Sequence, residues 1–144
     1  MIFLSVCHTI IIDVKTNKYN ASSPDELALV EAAKDFGFEF KGIDSKKVIT
    51  VEETRTKLKH KFTLLNVCEF TSTRKRMSVI VRMGDSGEIK LLCKGADSVI
   101  EERLSKGSKN SEVFKKTQEH VNGFAREGLR TLFLAEKILE EHVY

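Results

Sequence analysis

Glycine, proline and cysteine are all sparse in this sequence of 144 residues, and where they fall excludes several chemistries. None of the eight glycines is followed by lysine, so there is no Walker A loop. No Gly-x-Gly-x-x-Gly occurs, which removes the usual dinucleotide fingerprint. Gly-x-Ser-x-Gly and His-Glu-x-x-His are missing as well. The three cysteines, Cys7, Cys68 and Cys93, form an odd set without CxxC spacing. They suit a reducing compartment better than a disulfide framework. His8, His60, His120 and His142 have no metal-ligand spacing among themselves or with the cysteines, so no protein-held metal is expected. Long hydrophobic runs are lacking too. Met1 to Ile12 is apolar but too short to span a bilayer. It also has neither the basic start nor the small-residue cleavage site of a signal peptide. A buried first element of a soluble chain is expected there.

What is present describes one domain covering residues 1–144. Hydrophobic residues make up 41% and charged residues 31%, enough for a core and a solvated surface. The net charge of +3 is mild, where a nucleic-acid binder usually carries a stronger and more clustered excess. The only proline, Pro24, falls where a helix should start: Ser23 as N-cap, Pro24 at N1 and Glu26 at N3 form a capping-box pattern. Leu29, Val30, Ala33 and Phe36 follow at helical spacing, and Gly37 can end the helix in a left-handed conformation. Phe38–Lys41, Val48–Val51, Phe62–Val67, Met77–Met83 and Ile89–Cys93 read as strands. Gly84-Asp85-Ser86-Gly87 is a hairpin turn between the last two. Asp97–Leu104 reads as a short helix and residues 105–111 as a loop. Glu112–Arg126 reads as a longer helix that buries Val113, Phe114, Val121 and Phe124, and Thr131–Ala135 as a final strand. Successive strands joined by short turns predict an α+β fold, a twisted antiparallel β-sheet flanked by helices.

Several residues have both a structural and a binding reading. Phe70 precedes the polar stretch Thr71-Ser72-Thr73. It can pack in the core, or it can stack on a purine, which is worth about 1–3 kcal/mol per base. Arg74, Lys75 and Arg76 can guard a strand edge. In an extended segment Arg74 and Arg76 point one way and Lys75 the other. Lys94 ends an apolar strand beside Gly95, where it can lie on the surface or reach a ligand that approaches the backbone closely. Glu26 has one carboxylate and two candidate uses, closing the capping box or facing a ligand. Arg130 offers a planar fork that suits phosphate, or a salt bridge at a rim.

Four segments, in order, resemble the nucleotide-binding domain of P-type ATPases: Ser23-Pro24-Asp25-Glu26-Leu27-Ala28-Leu29, Phe70 to Ser78, Lys94-Gly95-Ala96-Asp97 and Leu129-Arg130-Thr131-Leu132. The wording of Cys7-His8-Thr9, of Ala21 to Glu26 and of Arg74-Lys75-Arg76-Met77-Ser78 is closer still to the type IV, phospholipid-translocating (flippase) subfamily. The resemblance implies ATP as ligand, with Mg2+ arriving on it. Phe70 is then the adenine-stacking ring, with Glu26 near the adenine amino group. Lys75 and Met77 lie in the pocket and Lys94 deep within it. Gly95 leaves room for the nucleotide, and Arg130 faces the phosphates beside Leu132.

The resemblance also implies what lies elsewhere. The family is phosphorylated on the aspartate of Asp-Lys-Thr-Gly-Thr, and none of the six aspartates here is followed by lysine. The chain is therefore expected to bind ATP without hydrolysing it. Its expected role is that of a cytosolic domain of an integral membrane protein, working with phosphorylation and actuator domains of the same parent chain on a phospholipid substrate. An ion-transporting P-type ATPase is the first rival, and Pro24 and the Arg-Lys-Arg run argue against it. A basic module for RNA or acidic membrane is the second, and no nucleic-acid partner is expected.

Overall fold

The computed structural model describes every residue except Val143. Its centre is a six-stranded antiparallel sheet in which neighbours in space are neighbours in sequence. The strands are β3 (Phe38–Ile43), β4 (Val48–Glu53), β5 (Lys59–Cys68), β6 (Arg76–Met83), β7 (Ile89–Gly95) and β8 (Phe133–Leu139). A separate short hairpin joins β1 (Ile11–Ile12) to β2 (Tyr19–Asn20). The expected α+β architecture is present. The Gly84–Gly87 turn closes the β6–β7 hairpin, with Gly87 left-handed at φ +74° and its N–H donating to the Met83 carbonyl at 2.9 Å.

The core follows from strand alternation. Val79 and Val81 of β6, Ile49 and Val51 of β4, Phe40 of β3 and Phe62 of β5 are buried together. Helices α1 (Ile2–Val6) and α2 (Pro24–Asp35) supply Val6 and Val30 to the same cluster, joined by Cys7 and Ile10. Ser23 caps α2, its hydroxyl accepting from the Glu26 N–H at 3.2 Å, and Gly37 follows the helix at φ +92°.

The connection between β7 and β8 carries three helices: α3 (Asp97–Glu101), α4 (Lys106–Lys109) and α5 (Glu112–Arg126). Residues 105–111, expected as loop, contain the single turn α4, because Ser105 caps it, while Ser111 caps α5. Ser105 accepts from the Ser108 N–H and Ser111 from the Phe114 N–H, both at 3.1 Å. The last strand starts at Phe133 rather than Thr131 and runs on to Leu139.

Three burial expectations need correcting. On α5, Val113 is 76% and Phe124 49% exposed. That helix meets the sheet edge along a narrow strip, where Phe114 sets its ring edge-on to Phe133 at 6.2 Å. Phe36 is 70% exposed because it sits at the C-cap of α2, where the chain turns off the helix. The apolar start, Met1 to Ile12, holds α1 and β1 rather than one buried element, and Met1 and Ile11 remain exposed.

Candidate functional site

The start of α2, the ends of β6 and β7 that lie side by side, and the segment leading into β8 enclose a cavity of about 580 Å3. Seven of the eight candidate residues line it: Glu26, Phe70, Met77, Lys94, Gly95, Arg130 and Leu132. The sheet register explains part of this, since Met77 is paired directly with Lys94. The floor is buried, with Glu26 and Lys94 each 7% exposed. The mouth is open and apolar in part, with Phe70 62% and Leu132 42% exposed.

The Lys94 ammonium is the unsatisfied group of the floor. Among the described residues it finds no hydrogen-bond partner. Its nearest carboxylate oxygen, Glu26 Oε1, is 3.9 Å away, close enough for attraction and too far for a hydrogen bond. Burial holds Lys94 below the ordinary lysine value, with Cys7 and Glu26 opposing. Burial also pushes the Cys7 thiol up to about 12, so it is neutral at physiological pH and Glu26 is the effective counter-charge. An unsatisfied buried ammonium is costly, and a ligand that supplies an acceptor removes that cost.

Glu26 resolves its own ambiguity. Its N–H serves the Ser23 cap, while its carboxylate turns away from the helix end and towards Thr9 and Ser22. The Thr9 N–H donates to Oε1 at 2.9 Å, the Thr9 hydroxyl to Oε2 at 3.1 Å and the Ser22 hydroxyl to Oε2 at 3.1 Å. The capping box is only half formed, and the carboxylate belongs to the cavity. At the rim, Arg130 pairs with Asp25 at 3.0 Å, both side chains well exposed, so the pair adds little to stability.

Comparisons with known proteins give the family. The family model described as P-type ATPase, cytoplasmic domain N, matches residues 4–144. This chain belongs to that family. Within it, the chain is 49% identical over 146 residues to a probable phospholipid-transporting ATPase 7 of Arabidopsis thaliana, covering 98% of the chain and 12% of the relative. It is 46% identical over 144 residues to the human phospholipid-transporting ATPase ID, covering 98% of the chain and 11% of the relative. It is 45% identical over 144 residues to the phospholipid-transporting ATPase DRS2 of Saccharomyces cerevisiae, covering 98% and 10%. The likeness is thus to the type IV branch, and the chain spans about a tenth of the length of these relatives.

Two site residues of this N domain differ from expectation. Lys75 is exposed and does not line the cavity. Its φ of +50° ends a tight turn in which its N–H donates to the Thr71 carbonyl at 2.7 Å, so simple alternation of faces fails there. The neighbouring arginines brace the same turn. Arg74 donates to the Cys68 and Glu69 carbonyls and Arg76 to the Arg74 carbonyl. Gly95 does line the cavity, but the space left by its missing side chain is already filled. A Cβ there would lie 2.5 Å from the Lys75 carbonyl oxygen and 2.6 Å from the Arg76 Cβ. Glycine is needed for β6 and β7 to meet.

Thr9, Ser22, Asp25 and Glu69 also line the cavity, and sequence reasoning assigned them no role. Thr9, Ser22 and Asp25 lay within segments that resembled the flippase subfamily, and that was the available signal, while Glu69 had none. Among the described residues no group of three or more His, Cys, Asp or Glu side chains is gathered as metal ligands.

Proposed function

We propose that this N domain holds Mg-ATP in the cavity and presents the γ-phosphate to an aspartate in a separate phosphorylation domain of its parent chain. The parent then couples ATP hydrolysis to phospholipid movement, with this domain on the cytosolic side of the membrane. Among the described residues no helix is long and apolar enough to cross a membrane. The observation that carries the reading is the buried Lys94 ammonium without a hydrogen-bond partner in a cavity of ligand size. Around it the division of labour is simple. Phe70 supplies an exposed aromatic face for the purine, Met77 and Leu132 supply apolar walls, and Arg130 supplies a fork for phosphate.

Magnesium comes with the nucleotide in this account. Asp25 and Glu69 stand near the cavity mouth, and the charge of Mg2+ reduces their repulsion of a triphosphate. Lys75, outside the lining, has no assigned contact. The chain orients the nucleotide and lacks an in-line nucleophile in the family's sequence context, so binding proceeds without transfer.

The test is calorimetry alongside a phosphate-release assay on the purified chain. Expected are a Kd of about 0.1–1 mM, since few groups meet the phosphates, and phosphate release at background. Turnover above background that Lys94→Ala abolishes would show a complete active site and overturn the reading.

A further inference from the structure

The Cys7-His8-Thr9 segment has no part in the roles given above, yet it reaches the floor of the cavity through Thr9. The turn that presents Thr9 is itself held on both sides. His8 Nε2 donates to the Ser5 carbonyl at 2.9 Å, and His8 Nδ1 accepts from the Ile10 N–H at 3.1 Å. Thr9 then grips Glu26 with two different groups, its backbone N–H on Oε1 and its hydroxyl on Oε2.

A carboxylate has about four lone-pair sites. The Thr9 and Ser22 hydroxyls each donate to Oε2 at 3.1 Å, the Thr9 hydroxyl also lying 3.4 Å from Oε1, and the Thr9 N–H takes one site on Oε1. With the single hydroxyl proton of Thr9 on the nearer Oε2, the second acceptor site on Oε1 stays open. Beside it, at 3.9 Å, is the Lys94 ammonium with its donors unused. The floor therefore offers a ligand one fixed acceptor next to one fixed donor.

We infer that Thr9 is a positioning residue that sets the Glu26 carboxylate, so that the floor of the site distinguishes a 6-amino purine from a 6-oxo purine. The inference rests on nucleotide binding in this cavity. A 6-amino purine donates from its exocyclic amine to the open site of Glu26, and its neighbouring ring nitrogen accepts from Lys94. A 6-oxo purine presents the opposite polarity along that edge. Its carbonyl oxygen meets the carboxylate and its ring N–H meets the ammonium, and both buried groups stay unsatisfied. Without the Thr9 hydroxyl, Oε2 loses a donor and the carboxylate is free to rotate towards Lys94. The fixed polarity is then lost.

The experiment compares affinities of the chain for ATP and inosine triphosphate in wild type, Thr9→Val, Thr9→Ser and Ser22→Ala. Wild type is expected to prefer ATP by about tenfold or more, and Thr9→Val to reduce that preference to within about threefold. Thr9→Ser, which keeps the hydroxyl, retains the preference. Ser22→Ala, at an exposed position, lowers it in the same direction and decides the matter if Thr9→Val does not fold. A wild type without preference, a ratio unchanged in Thr9→Val or in Ser22→Ala, or a Thr9→Ser ratio as low as that of valine overturns the inference while ATP binding stands. Failure of the wild type to bind ATP at all removes the proposed function and this inference together.

Discussion

Phe70 and Arg130 stand at the open mouth of the cavity, and each tests a different half of a nucleotide. Phe70 is 62% exposed, so the core-packing alternative open to it in the sequence does not hold, and an aromatic ring left to solvent at a cavity mouth is available for stacking. Phe70→Ala should weaken ATP and adenosine equally, by about 1–3 kcal/mol. Arg130→Ala should weaken ATP more than adenosine, because its guanidinium has only Asp25 to leave and a phosphate to gain. Calorimetric titration of both ligands against both variants checks this. Equal loss of ATP and adenosine in the Arg130 variant would remove that residue from the phosphate end. At this scale the sequence was informative about identity and poor about partners. It singled out Lys94 and Glu26, but Thr9 lies 17 residues from Glu26 and no short spacing links them.

At the scale of elements, the segment from α1 to α2 acts as a mount for the floor of the site. His8 is its fastening: 7% exposed, bonded to Ser5 and Ile10, and set edge-on to the Phe40 ring at 4.4 Å. Burial, aided by Lys94 and opposed by the Ser5 carbonyl and Glu26, lowers its pKa from 6.5 to about 4. The folded value lies below the unfolded one, so the unfolded chain gains the proton first as pH falls. The contribution of neutral His8 is complete above pH 6.5 and is lost progressively down to about pH 4, amounting to about 3 kcal/mol. Urea unfolding at steps across that window should show the loss in wild type and a flatter profile in His8→Gln. Parallel profiles for the two would exclude His8 as the titrating group. This mount was not legible beforehand, because its first twelve residues are mostly apolar, Ser5, His8 and Thr9 apart, and give no helical or strand period. The strands of the sheet were legible because alternation and glycine turns agree in β6 and β7. The α5 face was misread because period identifies a stripe but not what covers it, and Val113 and Phe124 face solvent.

For the whole molecule, chain order and sheet order coincide, and this brings segments scattered through the sequence to one end of the sheet. The β6–β7 register sets Met77 against Lys94, Gly95 lets the strands close, and β8 returns beside β7 to bring Arg130 and Leu132 over the same cavity. The resemblance named seven residues that line this cavity, which residue patterns alone could not do, since long-range pairing brings them together. It assigned Lys75 to the pocket, and the left-handed turn at that residue places it outside the lining. The central claim is that one nucleotide binds in this one cavity. It is tested most directly by recording backbone amide NMR shifts of the chain as Mg-ATP is added. The account predicts saturable shifts concentrated at Thr9, Glu26, Phe70, Met77, Lys94, Gly95 and the 130–132 segment. Shifts spread evenly over the chain, or absent around Phe70 and Lys94 at millimolar ATP, would contradict it.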